Sequence, residues 1–247
     1  MIIMLLMGAL LPLAAKNRAQ QVIAHRGYWK TSGSAQNSLA ALYNAHNIGV
    51  YGSEFDVHIT RDGVVVVFHD DIEDVKIEDA NYADIKNKRL SNGETLPTLA
   101  AYLAAAQSLG HTRLILEVKE HAKKSDEDRC VDAILRQVAK AHLADRVEYI
   151  SFIKHACDYL VANAPKGAKV SYLNGDLTPK QAQEAGYAGI DYEDQVWRAH
   201  PTWIKEAKQL GLITNVWTVD KTSDLKWFLA KGIGFVTTNE PVKAKAL

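Results

Sequence analysis

The chain has 247 residues, 47% hydrophobic and 23% charged, with 29 basic side chains balancing 29 acidic ones. Zero formal charge leaves no basic footprint for nucleic acid. The length suits one or two domains, and an α/β barrel fits it as a single one. Two cysteines, Cys130 and Cys157, cannot build a disulfide framework; both read as free thiols in helical stretches.

The first feature along the chain is a targeting segment. Met1 to Ala15 reads MIIMLLMGALLPLAA, ends in small residues and is followed by Lys16-Asn17-Arg18. A lone membrane-spanning helix needs ~20 apolar residues, more than this run supplies. It is expected to be a secretory signal peptide within residues 1–19, which implies export, to the periplasm if the cell is bacterial. A retained N-terminal membrane anchor is the alternative. The remainder, 20–247, then reads as one domain without linkers, low-complexity stretches or repeats beyond a β/α alternation.

Short apolar runs mark strands at Val22–His25, Gly52–His58, Leu114–Val118, Val147–Ser151, Lys169–Tyr172, Gly189–Tyr192, Ile213–Thr218 and Phe235–Thr237. Between them, apolar residues recur every three or four positions, which predicts helices over Ser38–Asn47, Thr98–Leu109, Glu127–His142, Lys154–Ala162, Pro179–Ala185, Trp203–Leu210 and Ser223–Ala230. Thr178-Pro179 resembles a helix start, and Gly186, Gly211 and Gly232 stand where helices should stop. Eight strands alternating with helices predict a (β/α)8 TIM barrel. An open doubly wound sheet is the other possibility, but no glycine-rich nucleotide loop follows the first strand. One segment breaks the alternation. Thr60-Arg61-Asp62-Gly63 is a turn signal, Val64–Phe68 reads as a hairpin added to the second strand, and a polar insertion occupies about 70–97. Long excursions of this kind tend to serve function, so it is expected above the barrel mouth, over the site.

Barrel strands are covered on both faces, so charges on them need a reason. Glu54 and Asp56 lie two apart on the second strand, hence on one face, about 7 Å apart along it, while Phe55 and Val57 face the other way. Glu117 and Lys119 repeat the pattern on the next barrel strand. Two carboxylates side by side repel, and a hard divalent cation held by oxygen ligands relieves that repulsion. Glu54, Asp56 and Glu117 form a candidate ligand set for Mg2+ or Ca2+; zinc fits less well without Cys or paired His. Arg26 and a cation would hold the oxygens of a phosphate ester, and His25 and His69 would move protons. His58 shares the face of Glu54 and Asp56 and reads as pocket-lining. Tyr28, Trp29, Tyr172 and Trp217 either wall the pocket or pack in the core. His46, His111, His121, His142, His155 and His200 are expected at the surface.

The set His25-Arg26-Gly27, Asn37-Ser38, Glu54-x-Asp56, Thr60-x-Asp62-Gly63, His69-Asp70 and Glu117-x-Lys119 closely resembles the glycerophosphodiester phosphodiesterases. Trp217-Thr218-Val219 and Gly234 to Pro241 resemble that family's last strand ends, so the likeness runs from Ile23 to Pro241. It implies a barrel with a small insertion after the second strand. It also implies metal-dependent hydrolysis of glycerophosphodiesters, such as glycerophosphocholine, to glycerol 3-phosphate and an alcohol. His25 and His69 would be the acid–base pair, Glu54, Asp56 and Glu117 the metal ligands, and Arg26 and Lys119 the phosphate holders, with Trp217 at the substrate. A phospholipase-type relative acting on intact lipids and a non-catalytic phosphodiester binder remain as alternatives. Two positions depart from the family pattern: Gln36 stands where Glu is common, and Asn239 where Asp is usual.

Overall fold

The computed structural model describes residues 18–247, so the apolar segment expected to be an export signal lies outside the described residues. Strands form at β1 (Val22–Ala24), β2 (Gly52–Ile59), β3 (Val65–Val67), β4 (Arg113–Val118), β5 (Val147–Ser151), β6 (Lys169–Tyr172), β7 (Gly189–Glu193), β8 (Ile213–Trp217) and β9 (Phe235–Thr238). All pair in parallel except β3, and a β1–β2 pairing closes the ring into an eight-stranded barrel. This is the TIM barrel that the alternation predicts.

The helices are α1 (Leu39–Asn47), α2 (Tyr82–Ile85), α3 (Leu99–Gln107), α4 (Lys124–Lys140), α5 (Lys154–Asn163), α6 (Pro179–Glu184), α7 (Asp194–Ala199), α8 (Trp203–Gln209), α9 (Thr222–Lys231) and α10 (Pro241–Lys245). Side chains cap several of them. Ser38 and Thr98 accept backbone N–H groups at the starts of α1 and α3, and Thr178 and Gln181 form a reciprocal box at α6. The sequence periodicity does not reveal α2, α7 and α10. Each is six residues or shorter, too brief to show a 3.6-residue repeat.

Strand alternation sorts the side chains. Phe55, Val57, Ile59, Leu116 and Val118 join the main core between sheet and helices, where Phe55 stacks on Tyr102 at 4.2 Å. Ile23, Ile115, Ile150, Leu173 and Phe235 fill the barrel interior. Glu54, Asp56 and Glu117 share that interior face, on rigid strands rather than on loops. Fully burying an apolar side chain of this size is worth about 1.5–3 kcal/mol, so the core holds the strands firmly.

After the turn at Gly63, β3 runs back antiparallel along the end of β2, pairing Val67 with Val57 and Val65 with Ile59. The excursion that follows packs Ile72, Ile77, Ala80, Ile85 and Leu96 against Val66 of β3 in a small core of its own. It also supplies Glu94, whose carboxylate accepts the Leu39 and Ala40 N–H groups at the start of α1. His69, just before this excursion, lines the central cavity; within the excursion Asp71, Lys76 and Glu78 line one side groove and Arg89, Leu90 and Ser91 another. Among the described residues, no helix is long and apolar enough to cross a membrane.

Candidate active site

Parallel register places Asp56 directly opposite Glu117 on the neighbouring strand, with Glu54 one pleat below. One carboxylate oxygen from each of Glu54, Asp56 and Glu117 lies within 4.8 Å of the others, and all three residues are buried. Their surroundings hold them in place. Asn37 donates its amide to Asp56 Oδ2 at 2.9 Å and accepts the Asp56 N–H at 3.2 Å. The Arg26 backbone N–H donates to Glu54 Oε2 at 2.7 Å, while Glu54 Oε1 has no hydrogen-bond partner. Arg26 lies in the left-handed region, φ 54°, and Gly27 follows at φ 77°. A Cβ at Gly27 would sit 2.6 Å from the Ala41 side chain, so this tight loop requires glycine.

Burial raises the Glu54 carboxyl well above its usual range, and the charges of Asp56 and Glu117 add to the effect. Burial and then Asp56 push Glu117 up to about 7. Lys119 Nζ lies 2.8 Å from Glu117 Oε1 and 3.6 Å from Asp56 Oδ1, and Arg26 Nε lies 3.7 Å from Asp56 Oδ2. Burial opposes the Lys119 charge, yet Glu117 and Asp56 hold its ammonium above the ordinary pKa. Two cations beside three carboxylates leave the cluster acidic. Together with the unpartnered Glu54 oxygen, that donor set fits a hard divalent cation.

The two sequence-predicted histidines share a cavity with Arg26, Glu54 and Glu117. The His25 N–H pairs with the Thr238 carbonyl, and its ring Nδ1 lies 2.9 Å from Asn239 Oδ1. The Asn239 amide group donates to Asp220 Oδ2 at 2.9 Å, so its oxygen faces His25 and also accepts from Trp29 Nε1 at 3.1 Å. An acceptor against Nδ1 places the ring proton there and leaves Nε2 bare toward the cavity. Burial, and secondarily the Arg26 charge, lowers the His25 pKa and keeps the ring neutral.

The hairpin turn positions His69. Phe68 N–H bonds to the Asp56 carbonyl at 3.0 Å, which carries the next residue over the carboxylates. His58 Nε2 pairs with the His69 carbonyl at 3.1 Å, and His69 Nδ1 pairs with Asp70 Oδ1 at 2.6 Å. His58 therefore braces the histidine loop. The remaining wall is mostly apolar, with Ile150, Phe152, Leu173 and Trp217 beside the polar Asp191, Thr218 and Thr237, and Phe152 stands edge-on to Trp217 at 5.3 Å. Trp217 Nε1 donates to the Asp191 carbonyl at 2.9 Å, so the predicted pocket aromatic does face the cavity. The structure brings seven of the eight predicted site residues to that cavity or its acidic floor. Lys119 reaches the carboxylates from the adjoining groove, which it shares with His58 and His69.

One expectation needs correction. His121 is buried, not superficial, and its Nε2 accepts the Ile59 N–H at 3.1 Å, closing the end of β2. Sequence reasoning does not single out Asp191, Phe152 or Asp220, and it marks Asn239 only as a departure from the family pattern. Asp191 was findable by the rule applied to Glu54, since a charge in the middle of an apolar barrel strand needs a reason. Asp220 lies in a loop, and no local pattern marks it.

The sequence profile of the glycerophosphoryl diester phosphodiesterase family matches residues 25–243. The chain belongs to that family. A crystal structure of a glycerophosphodiester phosphodiesterase from Parabacteroides distasonis is 45% identical, with a TM-score of 0.90 over 92% of this chain and 96% of that one. The glycerophosphodiester phosphodiesterase of Caldanaerobacter subterraneus is 23% identical over 234 residues, 89% of this chain and 94% of that protein. An Oleispira antarctica phosphodiesterase, solved with its product sn-glycerol-3-phosphate, shares the fold at 24% identity and a TM-score of 0.79, covering 92% of this chain and 95% of that one. Like its relatives, this family member is a phosphoric diester hydrolase in class.

Proposed function

We propose that this phosphodiesterase hydrolyses glycerophosphodiesters to sn-glycerol 3-phosphate and an alcohol, with a divalent cation and two histidines. The observation that carries the reading is the buried trio of carboxylates, one of its oxygens unpartnered, sharing a cavity with His25 and His69. Glu54, Asp56 and Glu117 would hold the cation, and hard oxygen ligands favour Mg2+ or Ca2+. Bound there, such an ion withdraws charge from the phosphoryl oxygens.

The chain's own residues supply the rest. Arg26 and Lys119 hold the phosphate and balance the charge that develops on it. His25, neutral and with Nε2 bare, takes the proton of the nucleophile, either water or the substrate's own glycerol hydroxyl; in the second case water then opens the cyclic phosphate to the monoester. His69 hands a proton to the departing alcohol oxygen, and the Asp70 carboxylate against its Nδ1 balances the protonated ring. Asn239, anchored on Asp220, keeps the His25 ring in the useful tautomer. Trp217 and Phe152 flank the carbon skeleton of the substrate.

The deciding assay measures glycerol 3-phosphate release from glycerophosphocholine after chelation, then with Mg2+ or Ca2+ restored. Release that stops with chelator and returns with one metal is the expected result. A folded, metal-loaded protein that releases nothing refutes the reading.

A further inference from the structure

Round the closed barrel the strands run β1, β2, β4, β5, β6, β7, β8, β9, so β7 stands four strands from β2 in either direction. Asp191 projects from β7 into the cavity, on the wall facing the three carboxylates. It is 3% exposed, and its two oxygens differ in kind. Oδ2 accepts from Asn215 Nδ2 at 2.8 Å, and that amide also donates to Thr237 Oγ1 at 2.7 Å. Asn215 Oδ1 in turn accepts the Val216 N–H at 2.9 Å. The amide has no spare donor, so Asp191 stays fixed by one oxygen. Oδ1 is buried without any hydrogen-bond partner.

No such partner is needed for folding, since Asn215 already positions the carboxylate. An acceptor left open at a ligand wall, rather than in the core, asks for a donor that arrives with the ligand. The surroundings narrow that donor. Ile150, Phe152, Leu173 and Trp217 line the same wall and favour carbon, not a second ammonium or guanidinium. A carbon chain that carries a hydroxyl meets both conditions.

We propose that Asp191 is the hydroxyl-recognition residue of this site: its Oδ1 accepts a hydrogen bond from a free hydroxyl of the polyol joined to the phosphate. This deepens the reading above and rests on it for the placing of the phosphate at the opposite wall. The consequence is a substrate class. A deacylated glycerophosphodiester offers the hydroxyl, whereas an intact phospholipid has esterified those oxygens and would leave a buried acceptor unpaired. A site that hydrogen-bonds a substrate hydroxyl discriminates strongly against analogues lacking it. Burial pushes the free carboxyl to about 7, which a donated hydroxyl would counter.

The test is calorimetric, on the metal-loaded full chain, with two ligands of equal carbon length: sn-glycerol 3-phosphate and n-propyl phosphate. The wild type should prefer glycerol phosphate by about 30-fold, the scale of one buried hydrogen bond left unmade. Asp191→Leu should erase that preference while holding propyl phosphate as the wild type does. Asp191→Asn, which keeps the Asn215 bond and serves if the leucine variant does not fold, should reduce it at least threefold. Equal weakening of both ligands would make Asp191 merely structural, and an undiminished preference would overturn the assignment outright. The binding readout does not require turnover. A wild type that discriminates but hydrolyses no glycerophosphodiester would refute the proposed reaction and leave the assignment of Asp191 standing.

Discussion

The wall made by β1, β2 and β4 and the wall made by β5 to β8 close on one cavity with opposite chemistry. The first brings His25, Arg26, Glu54, Asp56, Glu117 and Lys119, and all of these but His25 are held by neighbours from the first half of the chain. The second brings Ile150, Phe152, Leu173 and Trp217, with Asp191 as its single charge lining the cavity. A phosphate needs concentrated charge, and concentrated charge needs close, rigid support. A carbon skeleton needs only shape, plus a polar point to fix its orientation. Reaction chemistry therefore belongs to the first wall and choice of substrate to the second.

The histidines break this comparison most sharply. His25→Ala and His69→Ala should each lower kcat about 10²- to 10⁴-fold, the usual worth of a positioned acid or base. Thermal melting should stay within a few degrees of the wild type, because both rings stand at the cavity surface. Near-normal turnover in either variant would remove that residue from proton transfer. Next come the ligands. Glu54→Gln, Asp56→Asn or Glu117→Gln should raise the metal concentration for half-maximal rate at least tenfold, by the scale of lost ligands and their supports. An unchanged metal titration would take the substituted residue out of the cation site.

What the sequence makes legible follows the same division. Glu54-x-Asp56 and His69-Asp70 are readable because a two-residue strand period and one turn fix their geometry within a few positions. Gln21 onward, the strand positions agree with the structure because buried parallel strands are short, continuous apolar runs. Contacts between residues far apart in the chain leave no such local signature. Asn239 meets His25 across a separation of 214 positions, and only barrel closure brings them to 2.9 Å. His121 was misplaced for a related reason. A histidine beyond a strand end looks superficial until one sees that a buried Ile59 N–H needs its ring nitrogen.

Asn239 links the walls, so its loss sharpens the comparison. Asn239→Leu should lower kcat about tenfold with little change in KM, because it frees the His25 ring without touching the carboxylates. Burial already lowers the His25 pKa, so the acidic limb of kcat/KM should fall below pH 6.5, the ordinary histidine value. The Asn239 bond works against that lowering, so its removal should move the limb further toward acid. A limb that does not move would mean that His25 is not the group titrating there.

A smaller effect belongs to Asp191 without ligand. Its folded carboxyl titrates near 7, against about 4 in an unfolded chain, so the folded state holds a proton across that window. Its contribution to stability is therefore full below about pH 4, is lost as pH rises toward 7, and is flat above. Asp191→Asn should flatten this slope, making the metal-free variant more resistant to urea than the wild type at pH 7.5 but not at pH 4.5. Parallel pH profiles for the two proteins would place the Asp191 titration elsewhere.

Gln36 makes the smallest and most informative change to the first wall. Its Oε1 accepts from Arg26 Nη1 at 2.5 Å, a contact that orients the guanidinium without neutralising it. Asp56 Oδ2, at 3.7 Å from Nε, is the nearer charge, and it would be shared with a cation. Arg26 thus keeps most of its charge for the phosphate. Gln36→Glu would convert the contact to an ion pair in a half-exposed position, where such pairs are worth little more than about 1 kcal/mol. The expected result is a KM about threefold higher at an unchanged kcat, with a weaker dependence of kcat/KM on salt, since the net attraction for the diester falls. A lower KM would instead mean that orientation of Arg26 matters more than its charge. The first wall would then rely on geometry as much as the second does.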